Sequence, residues 1–353
     1  MRVLVTAEQL QRPVPGGVAT YVRGLLQGLA QEPSAADVVV AGARDAPPRV
    51  EGHPVVASPL PVSWLTLAWD RGLVRPRAEA DVVHATSLAV PPTGRRPLSV
   101  FVHDVAWRRL PDAYPARGRR WHEAALARAV RRARLLLVPS RPTADDLVAG
   151  GVPAARVEVV EEGCDHLPAP DHEAATALLR ARGVEHGYLL AVSTLEPRKN
   201  LTRLLEAFRL ARPHLPEPWP LVVVGPEGWG DRLVAPPGVV LTGPVPAAVL
   251  AALYAGARAV AYVPLLEGFG LPAVEAMLAC VPVVASPVPS TGGAAIEVDP
   301  LDVPAIAHAL VAAATDDAVR AERVTAGLLR AEELTWAAAA RRHVELWSGL
   351  VGT

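Results

Sequence analysis

YLLAVSTLEPRKNLTRLLEAFRLAR, residues Tyr188 to Arg212, holds a complete structural unit. Tyr188–Ser193 is a short, continuously apolar run, the signature of a strand buried on both faces of a sheet. Leu201–Arg212 has a helical pattern. The polar turn Ser193–Asn200 joins them and carries Arg198 and Lys199. Asn200 is expected to cap the helix, which leaves free N–H groups and a positive dipole end beside two cations. Strand, polar turn, two cations and a helix N-terminus make an anion site suited to a pyrophosphate. A solvated basic turn with an N-cap is the plain alternative. Composition favours the chemical reading. Of 35 basic residues 34 are Arg; Lys199 is the only Lys and Asn200 the only Asn. A compact ammonium is not interchangeable with a planar guanidinium in a tight phosphate pocket.

The same alternation extends in both directions. Upstream, strands are expected at Arg2–Thr6, Val38–Ala41, Asp81–Ala85, Leu98–His103, Leu135–Ser140 and Val157–Glu161, with helices at Val18–Gln31, Arg119–Arg134 and Thr143–Ala149. A polar, proline-containing stretch, Gly163–His172, interrupts the pattern. Beyond it lie strands Tyr188–Ser193, Leu221–Gly225, Val239–Leu241, Ala259–Val263 and Val281–Ala285, with helices at Leu201–Arg212, Ala247–Ala255, Pro272–Ala279 and Val303–Ala314. Alternating strands and helices with continuous apolar strands predict an α/β fold. Its two doubly wound, Rossmann-like domains are expected at 1–168 and 173–335. Ligands of such sheets sit at the carboxyl ends of the strands, so a central cleft faced by both domains is the expected site. The helix Trp336–Leu350 has no following strand and is expected to cross back onto the first domain.

The chain has 353 residues, 51% hydrophobic and 20% charged, with a formal net charge of −1. That length suits two domains, and the missing basic excess argues against nucleic acid as a partner. Cys164 and Cys280 form no Cys-x-x-Cys pair, which fits a reducing compartment and argues against structural zinc. The opening MRVLVTAEQL is too short an apolar run for a signal peptide, and no stretch predicts a membrane span. A soluble cytoplasmic protein is expected. Gly-x-x-x-x-Gly-Lys, Gly-x-Gly-x-x-Gly, Gly-x-Ser-x-Gly and His-Glu-x-x-His motifs are missing, as is any Asp-x-Asp pair for a metal on a diphosphate. No metal or other cofactor is expected, so protein cations and helix termini would hold a bound diphosphate.

Three further constellations carry chemistry. Glu267-Gly-Phe-Gly-Leu-Pro-Ala-Val-Glu275 follows a strand. Gly268 and Gly270 permit close backbone approach, Phe269 and Leu271 flank the second glycine, and Pro272 suits a first helical turn. Two carboxylates seven residues apart across that loop can grip a sugar and a ribose; Glu275 also reads as a plain complement to the helix dipole. His103 and Asp104 stand at a strand's carboxyl end, where His103 can position a hydroxyl or simply satisfy the strand end. Gly16 and Gly17 open a helix whose backbone N–H groups can face a phosphate.

In this order, the early Gly-Gly, the His-Asp strand end, the Arg-Lys turn and the Glu-x7-Glu loop resemble the retaining glycosyltransferases of family 4, over nearly the whole chain. The resemblance implies the GT-B fold and transfer of a sugar from a nucleotide diphosphate to a hydroxyl. It implies that Arg198 and Lys199 neutralise the donor diphosphate and that Glu275 holds ribose hydroxyls. Glu267 and the backbone of Gly268 to Leu271 would hold the sugar and phosphate. His103, with Asp104 beside it, would lie against the transferred sugar, and Gly17 near diphosphate and acceptor. Glu-Pro-Arg-Lys-Asn-Leu is similar to users of GDP-mannose, and UDP-sugar users share much of it. One departure stands out: Ser286-Pro-Val-Pro-Ser-Thr-Gly-Gly293 lacks the Pro-Glu pair that family members often carry there.

The resemblance implies front-face attack, with the leaving phosphate accepting the acceptor's proton. The resemblance implies an acceptor pocket on the first domain, where Val62–Arg77 offers Trp64 and Trp69 for apolar or sugar-face contact; core packing explains the two tryptophans equally well. Trp107–Arg134 holds nine Arg against Asp112 and Glu123 and suits peripheral contact with anionic lipid or a solvated helix face. A sugar-nucleotide epimerase and a non-catalytic sugar-nucleotide binder are the competing readings.

Overall fold

A computed structural model describes residues 1–13, 16–32, 36–216, 219–228 and 234–351. In chain order the first unit contains β1 (Arg2–Thr6), α1 (Gly16–Gln31), β2 (Asp37–Gly42), β3 (Arg49–Val50), β4 (His53–Ala57) and α2 (Val62–Asp70). It continues with β5 (Val82–Ala85), β6 (Leu98–Phe101), α3 (Ala106–Arg109), α4 (Ala116–Arg132), β7 (Leu135–Val138), α5 (Arg141–Ala149) and β8 (Val157–Val159). The second unit contains α6 (His172–Arg180), β9 (Leu189–Val192), α7 (Leu201–Ala211), β10 (Leu221–Val224), β11 (Val239–Gly243) and α8 (Ala247–Gly256). After these come β12 (Ala259–Tyr262), α9 (Leu271–Leu278), β13 (Val283–Ala285), β14 (Ile296–Glu297), α10 (Val303–Thr315) and α11 (Asp317–Glu333). The last helix, α12 (Trp336–Val351), belongs to the first unit, which comprises Met1–His166 and Leu334–Thr353; the second is Leu167–Glu333.

The first unit's sheet has the order β3-β4-β2-β1-β5-β6-β7-β8, parallel except where β3 meets β4. Side chains alternate across it. Val3, Val5, Val38 and Val40 join α1 and α12 on one face, while Leu4, Ala41, Val83 and Val100 join α4 and α5 on the other. A strand with both faces covered is apolar at most positions, which is why these runs lack a polar alternation; His84 on β5 and Ser99 on β6 are buried polar exceptions. The second unit's sheet, β11-β10-β9-β12-β13-β14, is parallel throughout. Its core joins β9, β10 and β12 to α7 and α10.

The apolar pattern marks no element at Val62–Asp70, His172–Arg180 or Asp317–Glu333, and all three are helices. The stretch read as linker therefore ends at a helix capped by Asp171, whose carboxylate accepts from the Ala174 N–H. The short hairpin β3–β4 at one sheet edge is likewise unmarked.

What positions a site is strand order. In the second sheet β9 lies between β10 and β12, so the chain leaves it in one direction and returns on the other side. A parallel doubly wound sheet opens a crevice at such a reversal, beyond the carboxyl ends of the strands. The segments that emerge there are Ser193–Asn200 after β9 and Val263–Gly270 after β12. In the first sheet the reversal falls at β1, between β2 and β5.

Candidate functional site

The turn after β9 is a 3-10 turn, Pro197–Lys199, closed by Asn200 in the left-handed region at φ 59°. Asn200 does not cap α7, contrary to the sequence expectation. Its amide nitrogen donates to Val263 O (3.0 Å) and Pro300 O (2.8 Å), and its oxygen accepts from Arg203 (3.0 Å). Asn tolerates left-handed backbone better than most residues and offers two donors at once. The only Asn is therefore a buried tether that pins this turn to the segment after β12. Leu265 N–H to Arg198 O (2.9 Å) adds a backbone tie.

That tether brings the two cations onto Glu267. Lys199 Nζ lies 2.5 Å from Glu267 Oε1 and donates to the Tyr262 hydroxyl at 3.1 Å. Arg198 reaches Glu267 Oε2 (3.1 Å), Leu266 O (3.1 Å) and Glu196 Oε1 (3.0 Å). The four charged side chains are little exposed, Glu267 at 9% and Lys199 at 13%. Burial alone would push the Glu267 carboxyl up. The Arg198 guanidinium and Lys199 ammonium, with hydrogen bonds from Lys199 and Tyr262, reverse this and hold it below the usual carboxylate range. Glu196 is held above that range, because its burial outweighs Arg198 and Lys199. Burial first, and then Glu267, raise the Tyr262 phenol well above its ordinary value. Two carboxylates and two cations thus stand at the carboxyl ends of adjacent strands, desolvated together.

The glycine loop is held from behind. Gly268 and Phe269 are buried, and Gly270 sits at φ 106°, just before Leu271 opens α9 with Pro272 in its first turn. A Cβ on Gly270 would come within 3.1 Å of Ser290 Oγ and 3.2 Å of Val288. The segment that lacks the Pro-Glu pair clamps this loop. Ser290 donates from its backbone N to Phe269 O (3.1 Å) and from its hydroxyl to Gly270 O (2.9 Å), and Ser286 Oγ donates to Pro264 O (2.7 Å). Glu275, one turn into α9, is buried and accepts from the Tyr254 hydroxyl at 2.7 Å. Ser193, at the carboxyl end of β9, has a buried hydroxyl without a hydrogen-bond partner among the described residues.

The first unit holds the remaining candidates. His103 follows β6, with Nε2 3.0 Å from Thr86 O and Nδ1 3.4 Å from Glu162 Oε1. Its ring stands edge-on to Tyr21, centroids 5.0 Å apart, and 4.8 Å from Phe101. Asp104 Oδ1 accepts from Ala106 N–H at 3.0 Å and shapes the entry to α3. Gly16 opens α1 at φ 61°, and nothing stands within 4 Å of a Cβ built on Gly16 or Gly17. Glu162 and Tyr21 escape the sequence reading. The pair Glu161-Glu162 before Gly163, just past a strand, is the only signal for the first, and a tyrosine on an apolar helix face carries none for the second.

Comparison with known proteins agrees with this architecture. Residues 15–166 match the model of Glycosyltransferase Family 4, and residues 186–316 that of Glycosyl transferases group 1. Over 270 residues the chain is 31% identical to O-antigen chain mannosyltransferase B of Escherichia coli, covering 72% of this chain and 71% of that one. It is 29% identical over 178 residues to the serotype-specific mannosyltransferase WbdA of Escherichia coli, covering 46% of this chain and 22% of WbdA. Among solved structures, HepE of Anabaena in complex with UDP-glucose superposes with TM-score 0.72 at 18% identity, covering 99% of this chain and all of HepE. Sucrose-phosphate synthase of Thermosynechococcus elongatus gives 0.75 at 18% identity, with 100% of this chain and 99% of that one covered. The chain belongs to the family 4 glycosyltransferases, mannosyltransferase-like in sequence, and its two parallel-sheet domains are those of the GT-B fold.

Proposed function

We propose that this glycosyltransferase moves mannose from GDP-mannose to a hydroxyl acceptor, with retention and without a metal ion. The observation that carries the reading is the buried cluster of Glu196, Arg198, Lys199 and Glu267 at the strand-order reversal. The mannosyltransferase names of the Escherichia coli relatives supply the sugar.

The chemistry needs charge compensation on a leaving diphosphate. Arg198 and Lys199 are already stripped of most of their water and held by carboxylates. A diphosphate entering here replaces one anionic partner by another, so the desolvation cost of both cations has been met at folding. In the transition state the same cations face growing negative charge, where fixed positive groups lower the barrier most. Glu267, displaced from the cations, is free to take sugar hydroxyls. Glu275, held by Tyr254, takes the ribose, and the leaving phosphate receives the acceptor's proton. His103 lies against the transferred sugar. The backbone of Gly268 to Leu271 lines the donor.

The acceptor side points to an anionic membrane surface. Trp64 and Leu73, 62% and 56% exposed, stand with exposed Leu67 and Val74 on α2 and the turn after it. Val74 is held at φ 54°, a strained conformation for a β-branched residue. Arg71 and Arg75 are exposed in the same segment, and exposed Arg132 reaches within 3.4 Å of a Cβ built on Gly72. Two acids are paired: Asp70 with Arg128 and Trp121, and Glu123 with Arg108. An apolar tip in a cationic rim fits a bilayer that carries anionic headgroups and a lipid-linked acceptor. Among the described residues no helix is long and apolar enough to cross a membrane. We place the protein in the cytoplasm, in peripheral contact with that surface.

The test is a thermal-shift screen of GDP-, UDP-, ADP- and dTDP-sugars, followed by release of nucleotide from the best ligand. A donor at 100 times its Kd stabilises by about 2.7 kcal/mol. GDP-mannose is expected to give the largest shift and to be turned over with chelator present. A larger shift with a UDP-sugar would overturn the donor assignment. Binding without turnover on any acceptor would overturn the transferase reading.

A further inference from the structure

A closed chain of hydrogen bonds lies behind His103. It links Tyr21 on α1, His84 on β5, Ser99 on β6, and His343 and Trp347 on α12, all of them buried. Both ends are chemically fixed. The Trp347 indole N–H can only donate, and it reaches Ser99 Oγ at 3.0 Å. The Ala339 carbonyl can only accept, and it lies 2.8 Å from His343 Nδ1. The direction of every other link follows. His343 carries its hydrogen on Nδ1, so its Nε2 accepts from the Tyr21 hydroxyl at 2.8 Å. The Tyr21 oxygen, having given its hydrogen, accepts from His84 Nε2–H at 2.9 Å. His84 Nδ1 then accepts from the Ser99 hydroxyl at 2.9 Å, whose oxygen takes the indole N–H. The chain begins at Trp347 and ends at Ala339, both on α12, with both imidazoles neutral and each of their nitrogens used.

The Tyr21 ring also forms the wall behind His103. The two rings meet edge to face at 5.0 Å and 85°, and Tyr21 packs at 4.1 Å on Phe101, itself 4.8 Å from His103. Rotation about the Cβ–ring bond of a tyrosine is ordinarily soft. Two histidines on one hydroxyl fix the far end of the ring in place, and Phe101 at 4.1 Å and Trp336 at 6.1 Å on its sides limit its rotation. We propose that Tyr21 is a positioning residue for His103, and that α12 holds it in register through His343. This rests on the role proposed above for His103 against the transferred sugar.

The test compares His343→Leu, which keeps bulk and removes the acceptor, with His343→Gln, which places an amide oxygen near the position of Nε2. Two readouts are taken on the full chain. One is the imidazole Cε1–H resonance of His103, assigned by its loss in His103→Ala. The other is kcat and KM for GDP-mannose, read as released GDP. His343→Leu is expected to move the His103 resonance and to lower kcat by about tenfold or more with KM unchanged. His343→Gln is expected to restore both, which a loss of stability alone would not produce. An unmoved resonance with unchanged kcat in His343→Leu would overturn the proposal. If the resonance moves while His103→Ala turns over normally, the role of His103 is wrong and its coupling to α12 stands. Tyr21→Phe, which removes only the hydroxyl, carries the same comparison should His343→Leu fail to fold.

Discussion

Glu267 decides how the cations at 198 and 199 behave. With the carboxylate 2.5 Å from Lys199 and 3.1 Å from Arg198, an incoming diphosphate must compete with it. Glu267→Gln keeps the shape and removes the competitor. We expect GDP to bind about tenfold more tightly, a modest coupling for charges this close, while turnover of GDP-mannose falls because the sugar loses its carboxylate. The melting temperature should drop as well, since unpairing buried charges costs about 3 kcal/mol or more. Calorimetry at fixed salt measures the first effect, and GDP affinity that is unchanged or weaker would show that these cations do not meet the diphosphate. Sequence alone singles out both partners, Lys199 by its isolation among arginines and Glu267 by the glycine loop behind it. Their pairing is not legible, because it depends on β9 and β12 being neighbours across 68 residues of chain. For Asn200 the residue type was informative and the local rule misleading. An Asn before a helix reads as a cap, and only the left-handed backbone reveals a tether.

At the scale of elements, α12 is seated on α1 by missing side chains. A Cβ on Gly28 would lie 2.1 Å from Trp336 O, one on Gly24 2.0 Å from the Trp336 indole, and one on Gly163 2.3 Å from Trp336 N. In an isolated helix Gly→Ala stabilises by about 1 kcal/mol. Gly28→Ala should do the reverse, by about 1–3 kcal/mol, because a backbone carbonyl cannot yield as a flexible side chain can. Gly349→Ala, also within a helix but with nothing in 4 Å, is the control and should be neutral or stabilising. Equal melting temperatures for the two variants would refute the close seating. Elements were legible where burial imposes a pattern. The central strands are continuous apolar runs, and α1, α7 and α10 each carry a buried stripe. Helix α11 fully buries only Gly327 and Ala331, and α6 only Ala175, so neither has a stripe to read. Helix α2 fails for the opposite reason. Trp64 and Leu67 face solvent beside buried Leu65 and Trp69, and apolar residues on both sides erase the period.

For the whole molecule, two balances of charge make opposite demands on pH and salt. The buried chain that anchors α12 needs both imidazoles neutral. Burial lowers His343 from 6.5 to about 4, and His84 well below its ordinary value by burial and then by His343 and His103. As pH falls below about 6.5 the unfolded chain takes up protons first, so stability declines progressively towards pH 4, by about 3 kcal/mol for His343. Glu8 and Glu196, raised by burial, act in the other direction over part of that window. The difference between wild type and His343→Gln isolates the histidine: the melting temperature of the variant should fall less steeply between pH 6.5 and 4, and parallel curves would exclude His343 as the titrating group. The second balance is spatial. A chain of net charge −1 concentrates nine Arg between Trp107 and Arg134 against two acids, beside the apolar tip at Trp64 and Leu73. Each arginine near an anionic bilayer contributes about 1 kcal/mol, and this term is screened by salt, whereas insertion of the indole is not. Vesicles containing phosphatidylglycerol should therefore carry the protein on flotation at low salt and partly release it at high salt. Trp64→Ser should remove the salt-resistant part alone, and Arg131→Ala with Arg132→Ala should weaken the salt-sensitive part. A protein left at the bottom of the gradient at low salt would end the membrane assignment, and binding indifferent to headgroup charge would transfer it from the arginines to the apolar tip.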